Sequence, residues 1–376
     1  MLERRRFLAA CAGLATTALL PAAVAARERT TRAWRRGRVP MIDALGSPGE
    51  YSAEPYAPLT PKALADLRAS GLDAVNVTVS GVGSYRNDYD ETIRNIAYWN
   101  AQIAANPAQL MLVRTQADIG IARRESRLGL VYGFQDATPL AEDLERVDLF
   151  SGLGVRVVQL TYNRRNLVGD GCLEAGNAGL SGFGRELVAR LDDRRLLIDL
   201  SHAGERTTLE AIAASKRPLA ISHTGCAALA ALPRNKTDAE LRALADKGGV
   251  AGIYLMPFLR REGQPTAQDL VGHIEHALRV CGEDHVGIGT DGTISPVQFD
   301  DAFRAKHAAD VAARRARGIS APGESADVYT FLPDLNHADR FTRIGTLLAA
   351  RGHSDARIGK ILGGNFMRLF GEAWAP

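Results

Sequence analysis

Two short apolar runs, 196–200 and 219–221, each lead into Ser-His, which places His202 and His223 at matching positions. Between them, residues 205–215 read as a helix long enough to return the chain to a parallel neighbour. Parallel strands of one sheet send both imidazoles out at the same C-terminal edge, where barrels and open α/β sheets keep their chemistry. Two neutral imidazoles at that edge suit a late first-row metal such as zinc.

The same rhythm runs through the chain. Strand-like runs occur at 39–45, 74–79, 129–134, 155–162, 196–200, 219–222, 250–255 and 286–290. Several are continuous rather than alternating, as parallel strands buried on both faces require. Helical patterns at 61–69, 91–105, 140–149, 183–191, 205–215, 238–247 and 267–281 fall between them. This alternation predicts an α/β fold, a (β/α)8 TIM barrel. Further helices are expected at 302–317 and 334–351, and Ser354 reads as the cap of a closing helix over 356–362. The glycines of ILGGNF (361–366) are expected to end or bend it.

Residues 1–26 read as a leader. Arg4, Arg5 and Arg6 precede Phe7-Leu8, a weakly apolar run follows, and Ala23-Val24-Ala25 offers a cleavage site. The Arg-Arg-x-Phe-Leu order matches a twin-arginine signal, so the expected location is a bacterial periplasm and the expected partner the twin-arginine export machinery. The run is too short and alanine-rich for a good spanning helix. Cys11 lacks the preceding apolar segment of a lipoprotein site. Residues 27–376 carry no linker or repeat and are expected to form one barrel domain. A net charge of +3 without a basic stripe argues against nucleic acid as a partner. Cys172, Cys226 and Cys281 allow at most one disulfide and lack the spacing of a structural zinc site, so they read as packing residues.

The residues just beyond the strands outline a site. Leu45, Gly46 and Ser47 follow the first strand, Gln135 and Asp136 the third, and Tyr162 and Asn163 the fourth. His202 and His223 follow the fifth and sixth, and Asp291 the eighth, within GIGTDG. Arg234 lies in the PRN segment after His223. Asp291 is expected to ligate a metal or take a proton from water, and Arg234 to clamp a substrate carboxylate or to form a structural ion pair. His273, His276, His285, His307, His337 and His353 read as structural or solvent-facing.

The segments VRVVQLTYNRRN, GLSGFGRELVARL, LLIDLSH, ISHTGCAALAALPRN, DHVGIGTDG and HSDARIGKILGGNFMRLF together resemble the membrane (renal) dipeptidase family, peptidase family M19. The resemblance runs from about Val39 to the C-terminus and implies a metal-dependent amidohydrolase-like barrel, two bridged zinc ions, an arginine for the substrate carboxylate, and a homodimer. His202, His223, Arg234 and Asp291 match the pattern. The His-x-Asp pair of the family's first strand falls on Leu45 and Ser47, the bridging carboxylate on Gln135, and the fourth-strand histidine on Tyr162.

An amide cannot supply a negative bridging ligand, so one zinc is expected, on His202 and His223, with Gln135 or water and Asp291 completing the shell. Tyr162 is expected to donate to a developing oxyanion. The expectation is an exported metallohydrolase that cleaves a small dipeptide or N-acyl amino acid. The alternative is a catalytically altered or inactive barrel that binds a peptide-like ligand or assists maturation of a peptide metabolite.

Overall fold

The computed structural model describes Trp34, Arg36, Gly37, residues 39–82 and residues 88–375. The expected leader at 1–26, with Cys11, lies outside them. The described residues all fall in one compact unit.

Eight parallel strands hydrogen-bond in chain order: β1 Ile42–Asp43, β2 Ala74–Thr78, β3 Leu128–Phe134, β4 Val155–Gln159, β5 Leu197–Asp199, β6 Ala220–Thr224, β7 Val250–Ile253 and β8 Val286–Ile288. Helices on the outside separate them, giving a nearly closed (β/α)8 barrel. Residues of β3 are buried at all seven positions, as a strand covered on both faces must be. All eight expected strands are present, most of them shorter than their apolar runs.

A second apolar cluster marks the end of the barrel away from the histidines. The first residues of β1, β2, β5, β6 and β7 (Ile42, Ala74, Leu197, Ala220 and Val250) pack with Phe366, Leu369 and Phe370 of the last helix, Asn365–Trp374. That helix was not expected, because Gly363 and Gly364 look like a terminus. Of the two outcomes expected of these glycines it is the bend that occurs, and it brings the helix against β1: a Cβ on Gly363 would lie 2.2 Å from Pro40 O.

The sequence reading also missed Leu110–Leu112, a short strand beside β3, and helix Gln116–Arg124. The expected helix at 140–149 is instead a turn at Thr138–Leu140 followed by Glu145–Leu153, ended by Gly154 at φ 110°. The expected 334–351 helix is likewise broken into Pro333–Leu335 and Arg340–Ala350. Ser354 caps the following helix through Arg357 N, as expected.

The seam between β1 and β8 is held mainly by one carboxylate. Ala44 N donates to Ile288 O at 3.0 Å, and Asp291 N to Leu45 O at 2.8 Å. Between these, Asp43 accepts from Thr290 N at 2.8 Å and Thr290 Oγ1 at 2.6 Å. Beyond it, Gly46–Ser47 pairs in parallel with Gly292–Thr293.

Burial pushes the Asp43 carboxyl up to about 7, although Thr290 donates to it twice and Arg340 stands nearby. An unfolded Asp titrates near 4, so the folded chain holds this proton more tightly. The stability contributed by the protonated form is therefore complete below about pH 4 and is lost as the pH rises through about 7. Urea titrations at pH 5 and pH 8 should show Asp43→Asn escaping this decline, gaining roughly 2–3 kcal/mol on the wild type over that interval.

Candidate functional site

The two imidazoles emerge where the ladder between two neighbouring strands is short. Strands β5 and β6 share one residue pair in register, Asp199 with Ala220. The Asp199 carboxylate bridges the gap, accepting from the backbone N and Oγ of both Ser201 and Ser222. Ser201 Oγ also accepts from His223 N at 3.1 Å. Both serines therefore link His223, through its backbone N and its Nδ1, to the same buried carboxyl.

Hydrogen bonding fixes which ring nitrogen is free. Asn163 Nδ2 donates to Ile319 O at 2.8 Å, which turns Oδ1 toward His202 Nδ1, 2.6 Å away. A carbonyl oxygen only accepts, so His202 carries its proton on Nδ1. Ser222 Oγ gives its proton to Asp199 and must accept from His223 Nδ1 at 2.8 Å. Burial, then the charge of Arg234, holds both imidazoles well below the ordinary histidine pKa, so both are neutral. Each Nε2 is left with a lone pair and no hydrogen-bond partner, on rings whose centroids lie 4.9 Å apart.

Tyr162, His202, Arg234 and Asp291 line one cavity of about 390 Å³. Tyr162 stacks on His202 with centroids 4.2 Å apart, and burial raises its pKa, so the phenol keeps its proton. Arg234 is 2 % exposed. Its Nη1 donates to Ser201 O at 2.7 Å, its Nη2 has no hydrogen-bond partner, and no carboxylate among the described residues forms an ion pair with it. The geometry is that of a preformed anion donor rather than of a structural ion pair.

Asp291 sits at φ 56°, a left-handed conformation that costs a residue with a Cβ on the order of 1 kcal/mol. The Asp43–Thr290 bonds and the Asp291 N–Leu45 O bond hold it there. Burial raises its carboxyl to about 6, opposed by Arg234, Arg314 and a hydrogen bond with Gln135. A carboxyl poised there exchanges a proton near neutrality.

The expected ligand set contracts in this arrangement. Among the described residues, no three His, Cys, Asp or Glu side chains converge to hold a metal, so Asp291 does not join the two imidazoles in such a cluster. Gln135 hydrogen-bonds to Asp291 and lines a neighbouring cavity instead. Asp136 is held by Asn166 Nδ2 and Thr138 N. What fits one ion is the pair of free Nε2 lone pairs, each on a ring oriented through its Nδ1 in the manner of metal-ligating histidines.

Several residues of the cleft escaped the sequence reading. Arg314, on helix Asp301–Ala316, donates to Tyr162 Oη at 3.2 Å and pairs with Glu324. His307, expected to be structural or solvent-facing, bonds Ser325 O and Val328 O through Nε2 at 3.1 Å each and also lines the same cavity. Nothing in sequence spacing separates Arg314 and Arg317, which line the cavity, from Arg315, which does not. Three other histidines are structural: His273 accepts from Cys226 N at 2.9 Å and contacts Leu259 O, His276 meets Asp238, and His285 Nδ1 contacts Gly249 O. Cys172, Cys226 and Cys281 are all free thiols.

Comparison with known proteins follows these residues. The pattern of the membrane dipeptidase family (peptidase family M19) matches residues 63–316. An uncharacterized protein in the pqqA 5′ region of Klebsiella pneumoniae is 28% identical over 292 residues, covering 75% of this chain and 95% of that protein. Dipeptidase verJ of Clonostachys rogersoniana is 30% identical over 205 residues, 53% of this chain and 52% of verJ, so the match spans about half of that dipeptidase. The crystal structure of an amidohydrolase from Pseudomonas aeruginosa superposes with a TM-score of 0.76 at 32% identity, over 90% of this chain and 97% of that one.

The tautomers are open to direct measurement. Nitrogen-15 spectra of the chelator-treated, histidine-labelled chain should show His202 and His223 as neutral Nδ1–H rings at pH 7. Asn163→Leu, which removes the acceptor, should move His202 toward the Nε2–H form and leave His223 unchanged.

Proposed function

The chain belongs to the membrane dipeptidase family, peptidase family M19, a family of dipeptidase-type hydrolases, and from that premise we propose that it hydrolyses the amide bond of a small dipeptide or N-acyl amino acid using one metal ion. One observation carries the reading: His202, Arg234 and Asp291 line one cavity, the His223 ring lies 4.9 Å from that of His202, and both imidazole Nε2 atoms and Arg234 Nη2 are buried without a hydrogen-bond partner.

In this reading His202 and His223 hold a single zinc ion, and water, substrate or the Gln135 amide completes its shell. When bound, zinc supplies Lewis-acid polarisation of a carbonyl. Arg234 Nη2 binds the substrate's free carboxylate and fixes its position in the cleft. Asp291 takes a proton from the attacking water as the water oxygen bonds to the carbonyl carbon. It returns that proton to the amine as the C–N bond breaks. Tyr162 donates a hydrogen bond to the oxygen that gains charge. Gln135 orients the Asp291 carboxyl.

A second reading has one observation in its favour. Catalytic zinc sites use three protein ligands, and no third His, Cys, Asp or Glu joins the pair among the described residues. The same cleft would then bind a peptide-like ligand without cleaving it.

Elemental analysis of the purified chain separates the two. The hydrolase reading expects about one zinc per chain, lost in His202→Ala, and a rise in KM of at least tenfold in Arg234→Ala for any dipeptide cleaved. Two ions per chain would mean that other groups rebuild a second site. No zinc, even after titration with the metal, would leave the binding reading in its place.

We also propose that residues 1–26 direct export through the twin-arginine route, so that the protein works in the periplasm. The support is the Arg4-Arg5-x-Phe7-Leu8 order ahead of a small-residue run. Cell fractionation should find the wild type in the periplasm and the Arg4→Lys, Arg5→Lys double variant in the cytoplasm.

A further inference from the structure

Asp291 stands between two cavities. On one side is the 390 Å³ cavity that holds Arg234, Tyr162 and His202. On the other is a cavity of about 220 Å³ lined by Leu45, Val77, Trp99 and Leu255, with Ser47 and Thr78 among its polar groups. Asp291, Tyr51 and Thr330 belong to both walls, so the two are chambers of one cleft.

The charge in the second chamber is the informative feature. Asp291 is its one carboxylate among the described lining residues, and Arg340 supplies a cation. Asp43 lies behind Thr290 and does not line it. Arg340 is fixed in place, donating through Nη2 to Ile294 O at 3.0 Å and through Nε to His337 O at 2.9 Å.

The acids of the first chamber are already engaged. Glu324 accepts from Arg314 Nε at 2.8 Å and Nη2 at 2.9 Å, and from Ser320 and Ala321. Asp310 accepts from Tyr51 Oη at 2.8 Å and faces Lys306. Among the described residues lining the cleft, a dipeptide's α-ammonium would therefore find one carboxylate without an ion-pair partner, Asp291, which Gln135 already bonds. An ammonium held there would also face the Arg234 and Arg314 charges that act on the same carboxyl. A neutral acyl group meets no such conflict and gains the apolar wall.

We infer that the Leu45–Trp99 chamber is an acyl subsite, so that the substrate class is N-acylated amino acids with a free carboxylate and a blocked amine. This rests on the carboxylate-clamp role of Arg234 proposed above. The substrate spans Asp291, with its carboxylate at Arg234, its amide beside Asp291 and His202, and its acyl chain among Leu45, Val77, Trp99 and Leu255. Ser47 stands at the chamber wall, and its hydroxyl contacts only the neighbouring Pro48 carbonyl.

Calorimetric binding to the full chain tests this with an isosteric pair, N-propionyl-alanine and glycyl-alanine, each in both enantiomers. They differ by a methyl in place of an ammonium. The N-propionyl compound should bind at least tenfold more tightly. Ser47→Trp, which fills the chamber, should cut that ratio below threefold while glycyl-alanine keeps its affinity within about twofold. Equal binding of the pair to the wild type, lost in Arg234→Ala, would overturn the acyl subsite and leave the clamp standing. Failure of both compounds to bind would overturn both. A ratio unchanged in a folded Ser47→Trp variant would place the acyl group elsewhere and also overturn the assignment. The wild-type comparison decides without the variant.

Discussion

The Asp199 carboxylate is the constraint on which both histidines depend. With one residue pair in register between β5 and β6, the backbone ladder does little to align the strand ends that carry them. Four donors from Ser201 and Ser222 converge on Asp199 instead. Hydrogen bonds to a charged group contribute roughly 1.5–3 kcal/mol each, enough in sum to hold a carboxyl whose burial raises its pKa. The network also sets chemistry. Because Ser222 Oγ points its proton at Asp199, His223 meets a lone pair at Nδ1 and keeps its own free on Nε2.

Asp43 repeats the device at the opposite seam. There β1 and β8 are joined by few backbone bonds, and the carboxylate reaches across to Thr290. The residue after Thr290 is Asp291, held in a left-handed conformation that it would not adopt unaided. Both seams have a short ladder bridged by a buried acid, and both deliver the side chains of the cleft. A full ladder would leave those positions in regular strand geometry. Opening it lets the strand ends turn inward, and the acids restore the lost order.

Much of this was legible in the sequence because it depends on local pattern. Continuous apolar runs announced the eight strands, and Ser-His at two strand ends located His202 and His223. Arg234 and Asp291 were legible from their motifs, and the structure sets them on one cavity wall. What escaped notice depends on contacts between distant segments. Asn163 stood among the strand-end residues, but its role as acceptor for His202 depends on Ile319, 156 residues away, which turns its amide. Arg314 reaches the cleft from a helix beyond the last barrel strand. The Leu110–Leu112 strand is too short to show a period. Gly363 looked like a stop because the close approach of Pro40 that requires it is invisible in one dimension.

Leu45, Ser47 and Gln135 bring no charge into the cleft, and the charges that remain argue for what it accepts. Arg314 is neutralised by Glu324, but Arg234 is buried with no carboxylate partner, and Arg340 faces the second chamber across from neutral groups. A unit charge about 5 Å from another contributes roughly 3 kcal/mol at an effective dielectric near 20, and twice that against a divalent ion. A second cation would therefore meet repulsion without the carboxylates that offset it. An incoming carboxylate relieves the strain of the unpaired Arg234, since a buried charge left alone costs several kcal/mol. The same unpaired charges thus weigh against a further cation and toward an anion, with Asp291 beside Arg234 on the cavity wall.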